Sequence, residues 1–189
     1  MKSSANNKNH KIAYIDGIAH QIKPGHTSVL KFVREHMGEK KIPTLCDDPN
    51  LAPFGACRIC SVDVALKKDG PSKTIASCHT PVTEGSYIVT DNEDLKNLRK
   101  NIVELVLTDH PMNCSTCEVN NNCELQTIAS NLDIKEHRYN KPKQNKRVQK
   151  DTSHAYMRMN LDNCINCGRC KGVCRNPRLF CLNDEWKRL

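Results

Sequence analysis

HPMNCSTCEVNNNC, residues 110–123, reads H-x3-C-x2-C-x5-C and places one imidazole and three thiols within fourteen residues. Soft and borderline donors packed this closely can converge on one metal centre. The spacing by itself also allows zinc. The flanking patterns predict a helix over Glu93–Thr108 and a short one over Glu124–Asn131, which would hold the loop between them. Two further cysteine sets turn the reading from zinc toward iron.

Upstream, Cys46, Cys57, Cys60 and Cys78 are spaced C-x10-C-x2-C-x17-C. Gly55 and Ala56, just before Cys57, are small enough to let backbone N–H groups approach bridging sulfides. This is neither the C-x4-C-x2-C opening of plant-type ferredoxins nor a Rieske set, which needs two histidines. His79 follows Cys78 and is expected to face away from it, as neighbours on a strand do. Downstream, Cys164, Cys167, Cys170 and Cys174 form C-x2-C-x2-C-x3-C, the run of bacterial 4Fe–4S ferredoxins. No second quartet follows it. Cys181 is the one cysteine left before Leu189.

The bulk numbers agree with a chain stapled by metal. Of 189 residues, 38% are hydrophobic and only 4% aromatic, thin for a large core, while twelve are cysteine. Small domains short of core need disulfides or metals. Disulfides mark secreted chains, but residues 1–15 contain no apolar signal core and no apolar run approaches a membrane span. The expectation is a reduced, cytoplasmic setting, with the cytoplasmic face of a membrane complex as a second placement. The net charge is +8. Six positives between Arg138 and Lys150, with no acid among them, concentrate the excess in one stretch. That is a solvated connector or a docking strip for an acidic partner, not the basic face of a nucleic-acid binder.

Around these sets the chain divides into a polar, disordered tail (1–10), a first domain (11–90), a second (91–137), a basic linker (138–154) and a final segment (155–189). Lys11–Asp16 and Ile18–Lys23 read as strands around a turn at Gly17. Thr27 or Ser28 caps a helix over Val29–Met37 that Gly38 ends. Ser61–Leu66, Thr74–Cys78 and Ser86–Thr90 are three more strands. Two strands, a helix and then a cysteine loop is the order of a β-grasp ferredoxin, so the expected class is α+β. In the long helix Leu95, Leu98, Ile102, Val103, Leu105, Val106 and Leu107 recur near the 3.6 period, with Lys96, Arg99, Lys100 and Glu104 between them.

With three cysteine sets in this order, the chain resembles the N-terminal iron–sulfur region shared by three enzymes. These are the large iron–sulfur subunit of respiratory complex I (NADH-quinone oxidoreductase-G), the iron-only hydrogenases and the alpha subunit of NAD-linked formate dehydrogenases. The resemblance runs from about Lys11 to Cys174. Its most specific parts are the first cysteine set, SCHTPVTEG (77–85) and LTDHPMNCSTC with CELQ (107–126). ASCHTPV and KDTSHAYMRMNLDNCINCGRC (150–170) point most toward the formate dehydrogenase subunit. The resemblance implies a 2Fe–2S cluster on Cys46, Cys57, Cys60 and Cys78. It implies a 4Fe–4S cluster on His110, Cys114, Cys117 and Cys123. It further implies a 4Fe–4S cluster on Cys164, Cys167 and Cys170, with Cys174 serving a neighbouring one. The relatives continue into a second quartet and, in two of the three, a large molybdopterin-type domain. This chain stops first, with Arg175-Asn176-Pro177-Arg178 where acidic residues are usual, and is expected to be truncated or a fragment.

The function expected is single-electron relay within a multi-subunit oxidoreductase, alongside flavin- or NADH-binding and catalytic subunits, without nucleic acid or membrane insertion. No catalytic residue is assigned: there is no G-x-G-x-x-G, no P-loop and no Ser-His-Asp arrangement. His10, His20, His26, His36, His137 and His154 read as scattered, exposed histidines. The alternatives are a zinc-stapled interaction module and a non-functional truncated remnant of the same subunit.

Overall fold

The computed structural model describes residues 11–140, 152, 155, 156, 158 and 160–175. The expected tail over 1–10, most of the basic linker and residues 176–189 lie outside the described residues. The chain forms two compact units. One contains the chain up to Ile42 and Cys60–Leu95; the other contains Pro43–Ile59 and everything from Lys96 on.

The first unit is built on strands β1 (Ile12–Ile15), β2 (Ile18–Gln21), β3 (Ser61–Ala65), β4 (Ser72–Ala76) and β5 (Tyr87–Val89), with helix α1 (Val29–Met37). Asp16 and Gly17 both have positive φ, 47° and 87°, the two left-handed positions that a tight hairpin turn needs. They close β1 onto β2 in the register Ile12↔Gln21 to Ile15↔Ile18. The sheet order is β2-β1-β5-β3-β4. β1 and β5 run parallel while the other neighbours are antiparallel. A mixed sheet of this order with one helix between its two halves is the α+β arrangement expected of a β-grasp ferredoxin-like domain. Ala13, Ile15, Val62, Ala76 and Ile88 of the sheet form one buried core with Val29, Leu30, Phe32 and Val33 of α1. Strand alternation puts Tyr14 and Tyr87 on the other face, where their rings stack with centroids 4.3 Å apart. α1 is capped by Ser28, whose side chain accepts from the Lys31 N–H at 3.2 Å, and Gly38 at φ 94° ends it.

Two expectations change. β4 is set two residues earlier than expected, and Cys78 lies in the turn after it. The β3–β4 ladder ends at Ser61↔Ala76. Ser77 then directs its N–H (3.3 Å) and its hydroxyl (2.6 Å) to the Cys60 carbonyl. Cys78 is buried and His79 exposed, but a turn separates them rather than strand alternation. The histidines are also not all scattered. His20, His26 and His36 gather around the Phe32 ring, and His26 is 7% exposed. Its Nδ1 accepts from the Lys23 N–H at 3.0 Å, which leaves Nε2 to donate to Glu35.

The second unit contains most of helix α2 (Glu93–Asp109), α3 (Glu124–Asn131) and α4 (Arg169–Arg175), with single 3-10 turns at Cys114–Thr116 and Leu161–Asn163. Its core is Leu45, Ile59, Val103, Leu107, Leu125, Ile128 and Ile134. Along α2 the buried row falls at Leu95, Arg99, Val103 and Leu107, joined by Glu104 and Thr108, while Leu105 is 54% exposed. Arg99 and Glu104, expected on the polar face, are instead buried. The Glu104 carboxylate is kept there by Arg138, whose Nε donates to it at 2.7 Å; a buried carboxylate needs such a partner. No described helix is long and apolar enough to cross a membrane.

Asp16 ties the first unit across its parallel pair. Its carboxylate accepts from the Thr90 N–H at 2.8 Å and the Thr90 hydroxyl at 2.6 Å, and pairs with Lys41 at 3.1 Å. Burial works against the charge, but the Thr90 hydrogen bonds and Lys41 together hold its pKa below the ordinary carboxylate value. The depressed pKa means that this stabilisation is present above the unfolded-state pKa and is lost as pH falls through the folded one. Asp16→Asn is expected to lower stability at neutral pH by about 1–2 kcal/mol. In chemical denaturation the difference from wild type should shrink toward zero at the acid end.

Candidate metal centres

The second cysteine set is the best defined. His110, Cys114, Cys117 and Cys123 all line one cavity of about 230 Å³, together with Leu45, Leu125 and Ile165. Each donor is set in place by a different local device. His110 follows the last turn of α2, its N–H bonded to the Leu107 carbonyl at 3.2 Å. Cys114 opens a 3-10 turn and Cys117 closes it, the Cys117 N–H reaching the Cys114 carbonyl at 3.1 Å. Cys123 is the N-cap residue of α3, and its carbonyl accepts from both the N–H and the hydroxyl of Thr127.

The His110 ring has a defined tautomer. Nδ1 lies 3.0 Å from the Pro111 carbonyl, which can only accept, so Nδ1 carries the proton. In the neutral ring this leaves the lone pair on Nε2. A metal-binding histidine characteristically donates its other ring N–H to a carbonyl or carboxylate in this way. Gln126 orders the loop ahead of Cys123. Its Oε1 accepts from the Asn121 N–H at 2.8 Å and its Nε2 donates to the Asn120 side chain at 2.9 Å. Asn121 itself takes a left-handed φ of 63°. Gln126 stands in the sequence as part of CELQ, but this task cannot be read there, because its partners belong to an irregular loop.

Among the described residues no three His, Cys, Asp or Glu side chains close on a point as a single ion requires. A donor set of three thiols and one imidazole lining one cavity is chemically suited to an iron–sulfur cluster.

The first set is distributed over the two units. In the second unit the Cys57 N–H donates to the Cys46 sulfur at 3.5 Å. The Cys46 side chain and then burial push the Cys57 thiol pKa up. Gly55 and Arg58, either side of Cys57, have φ of 70° and 60°. In the first unit Cys60 and Cys78 are each 1% exposed in the sheet–helix core, their segments joined through Ser77.

In the third run the Asn166 N–H reaches the Cys164 sulfur at 3.5 Å. Asn166 and Gly168, flanking Cys167, have φ of 53° and 74°. Left-handed residues beside a cysteine turn consecutive N–H groups to one side, making a concavity suited to anions. Spacing alone does not single out Arg58, Asn121 or Asn166. Asparagine in a cysteine loop is a usable signal for such a conformation; an arginine is not. Cys174 lies in α4, and its side chain and all of Cys181 are outside the described residues. The ten described cysteines form no disulfide with one another.

Comparison with known proteins bears on both halves of the chain. Residues 12–93 match the 2Fe–2S iron–sulfur cluster binding domain, and residues 99–138 match the NADH-ubiquinone oxidoreductase-G iron–sulfur binding region. The chain is 31% identical over 132 residues to the NADPH-Fe(3+) oxidoreductase subunit alpha of Geobacter sulfurreducens, covering 70% of this chain and 15% of that protein. It is 37% identical over 133 residues to the NADH-quinone oxidoreductase-G subunit of Buchnera aphidicola, covering 68% and 14%. It is 36% identical over 139 residues to NADP-reducing hydrogenase subunit HndD of Solidesulfovibrio fructosivorans, covering 70% and 23%. The matched part is thus less than a quarter of the length of these curated relatives. A crystal structure of an NAD+-reducing [NiFe]-hydrogenase in the H2-reduced state superposes with a TM-score of 0.72 at 28% identity, over 85% of this chain and 64% of that one.

Gln126→Ala removes both ties to the Asn120–Asn121 loop. The variant is expected to keep the fold of the first unit while iron retention at the second set falls severalfold, read by iron analysis after anaerobic gel filtration. Residues 12–93 are thus a 2Fe–2S iron–sulfur cluster binding domain, and residues 99–138 an iron–sulfur binding region of the NADH-ubiquinone oxidoreductase-G type.

Proposed function

We propose that this chain is the iron–sulfur electron-transfer module of a multi-subunit oxidoreductase, relaying single electrons between redox partners. The observation that carries the proposal is the cavity lined by His110, Cys114, Cys117 and Cys123, with the His110 proton held on Nδ1. In this reading Cys46, Cys57, Cys60 and Cys78 hold a 2Fe–2S cluster and His110, through Nε2, holds a 4Fe–4S cluster with Cys114, Cys117 and Cys123. Cys164, Cys167 and Cys170 hold a further 4Fe–4S cluster, whose fourth thiolate is Cys174, Cys181 or absent, Cys174 alternatively serving a neighbouring cluster. The corresponding domains are 11–90, 91–137 and 155–189. A bound cluster supplies a one-electron donor and acceptor.

The chain's own residues do the rest. Thiolates and the imidazole anchor the metal, backbone N–H groups such as those of Cys57 and Asn166 donate to sulfur, and the fold buries Cys46, Cys60 and Cys78. The partners are other subunits of the complex, flavin- or NADH-binding and catalytic, in line with the names the relatives carry. The complex works in the cytoplasm or at the cytoplasmic face of a membrane. Within the family, a formate dehydrogenase parent rests on ASCHTPV and residues 150–170.

The test is the anaerobic visible spectrum of the purified chain with iron, acid-labile sulfide and zinc counted on one sample. Three clusters require roughly ten iron and ten sulfide per chain, and about six means that the third is not assembled. Zinc with no visible absorbance would overturn the proposal in favour of an interaction module. A second prediction follows from ligand charge. The neutral imidazole of His110 replaces an anionic thiolate, which leaves its cluster less negative and easier to reduce. His110→Cys is expected to lower the midpoint potential of that cluster; a redox titration showing a rise, or no change, with iron content intact would refute the charge argument.

A further inference from the structure

We propose that Arg169 is a positioning residue shared by the three cysteine-bearing loops and that its guanidinium raises the reduction potential of the 4Fe–4S clusters bound beside it. The inference rests on the electron-transfer reading above and deepens it.

Arg169 lies between Cys167 and Cys170 in the third run. Its Nη1 donates to the Glu124 carboxylate at 2.6 Å, and Glu124 follows Cys123 of the second set. Its Nη2 donates to the Asp47 carbonyl at 2.7 Å, and Asp47 follows Cys46 of the first set. One planar fork therefore touches the residue next to a proposed ligand in each of the other two loops. Nε is buried and has no hydrogen-bond partner among the described residues, a spare charged donor of the kind that cluster sulfur accepts.

The packing around it is close. A Cβ on Gly168 would come within 3.3 Å of the Phe54 ring, and one on Gly172 within 3.1 Å of Leu51. The loop between Cys46 and Cys57 is thus pressed onto the third run on either side of the Arg169 contact. Lysine could not reproduce the double contact, because it carries the charge but not the fork.

The plain alternative is a surface ion pair that helps hold loops together. Its partner Glu124 has a side chain 57% exposed, and exposed pairs contribute little. The two readings differ in sign. A cation beside a cluster favours the reduced, more negative state, and the Glu124 carboxylate offsets that cation. Removing the arginine charge should therefore lower the potential, and removing the glutamate charge should raise it, although both variants break the same ion pair. A structural tie would move both variants the same way or neither.

The experiment uses the full chain, reconstituted anaerobically with iron and sulfide, and titrates the 4Fe–4S signals by electron paramagnetic resonance in wild type, Arg169→Gln, Arg169→Lys and Glu124→Gln. The expected result is a lowered potential in Arg169→Gln, by about 59 mV or a tenfold change in a one-electron equilibrium. Arg169→Lys should fall between it and wild type, and Glu124→Gln should shift upward. Shifts of the same sign, or none, at equal iron content would overturn the proposal. If Arg169→Gln does not retain iron, Glu124→Gln decides alone: a rise upholds the proposal and no rise overturns it. A wild-type chain that takes up zinc and no iron would instead remove the electron-transfer reading, so the two failures are distinguishable.

Discussion

The second unit depends on one apolar cluster. Leu45, Ile59, Val103, Leu107, Leu125, Ile128 and Ile134 are drawn from the stretch between α1 and β3, from two helices and from the chain after α3, and Cys57, Cys123 and Ile165 pack against them. The cysteine loops carry hydrogen-bonded turns, as at Cys114–Cys117, but these turns do not tie one loop to another. What holds them is burial of their neighbours: Leu45 beside Cys46, Ile59 between Cys57 and Cys60, Leu125 just after Cys123, Ile165 just after Cys164. Each fully buried aliphatic side chain contributes about 1.5–3 kcal/mol. Apolar residues near Cys46, Cys57, Cys123 and Cys164 thus anchor those loops in one shared cluster, and the placements of these loops are mutually dependent.

Electrostatics then acts on a scaffold already set by packing. The buried Glu104 and the Arg138 that reaches it close the stretch after α3 back onto α2. The Arg169 fork does the same for the third run. Both are charge-assisted contacts between segments far apart in sequence; the Glu104 carboxylate is buried, whereas the Glu124 side chain is exposed. Left-handed residues at Gly55, Arg58, Asn121, Asn166 and Gly168 are the local counterpart. They sharpen the loops so that amide hydrogens can face sulfur, at a conformational cost the tertiary contacts must offset.

In the first unit the parallel β1–β5 pair plays the organising part. It brings residues near the chain's beginning to those after Cys78, and Asp16 locks it through Thr90. With α1 laid across one face, Cys60 and Cys78 are held at the end of a rigid β3–β4 hairpin rather than on a free loop. Rigid elements place ligands better than loops do.

Much of this is open to reading in sequence because the signals are local. The Asp16-Gly17 turn, the Ser28 cap, the Gly38 stop, the strand alternation and the three cysteine spacings each depend on residues a few positions apart. They suffice for the α+β class, the element order and the iron–sulfur chemistry. What the tertiary structure alone decided are contacts between distant residues. Nothing within α2 says that Arg99 and Glu104 are buried and Leu105 is not; the Glu104 carboxylate finds its partner in Arg138, more than thirty positions away. Nothing near His20, His26 or His36 says that they meet around Phe32. The end of β4 at Ala76, the seat of Gln126 under the Asn120–Asn121 loop and the reach of Arg169 to Asp47 and Glu124 belong to the same class. A spacing of cysteines states which donors can share a metal, because ligand reach is short and local. Which side chains support those donors is settled only when long-range packing brings the loops together.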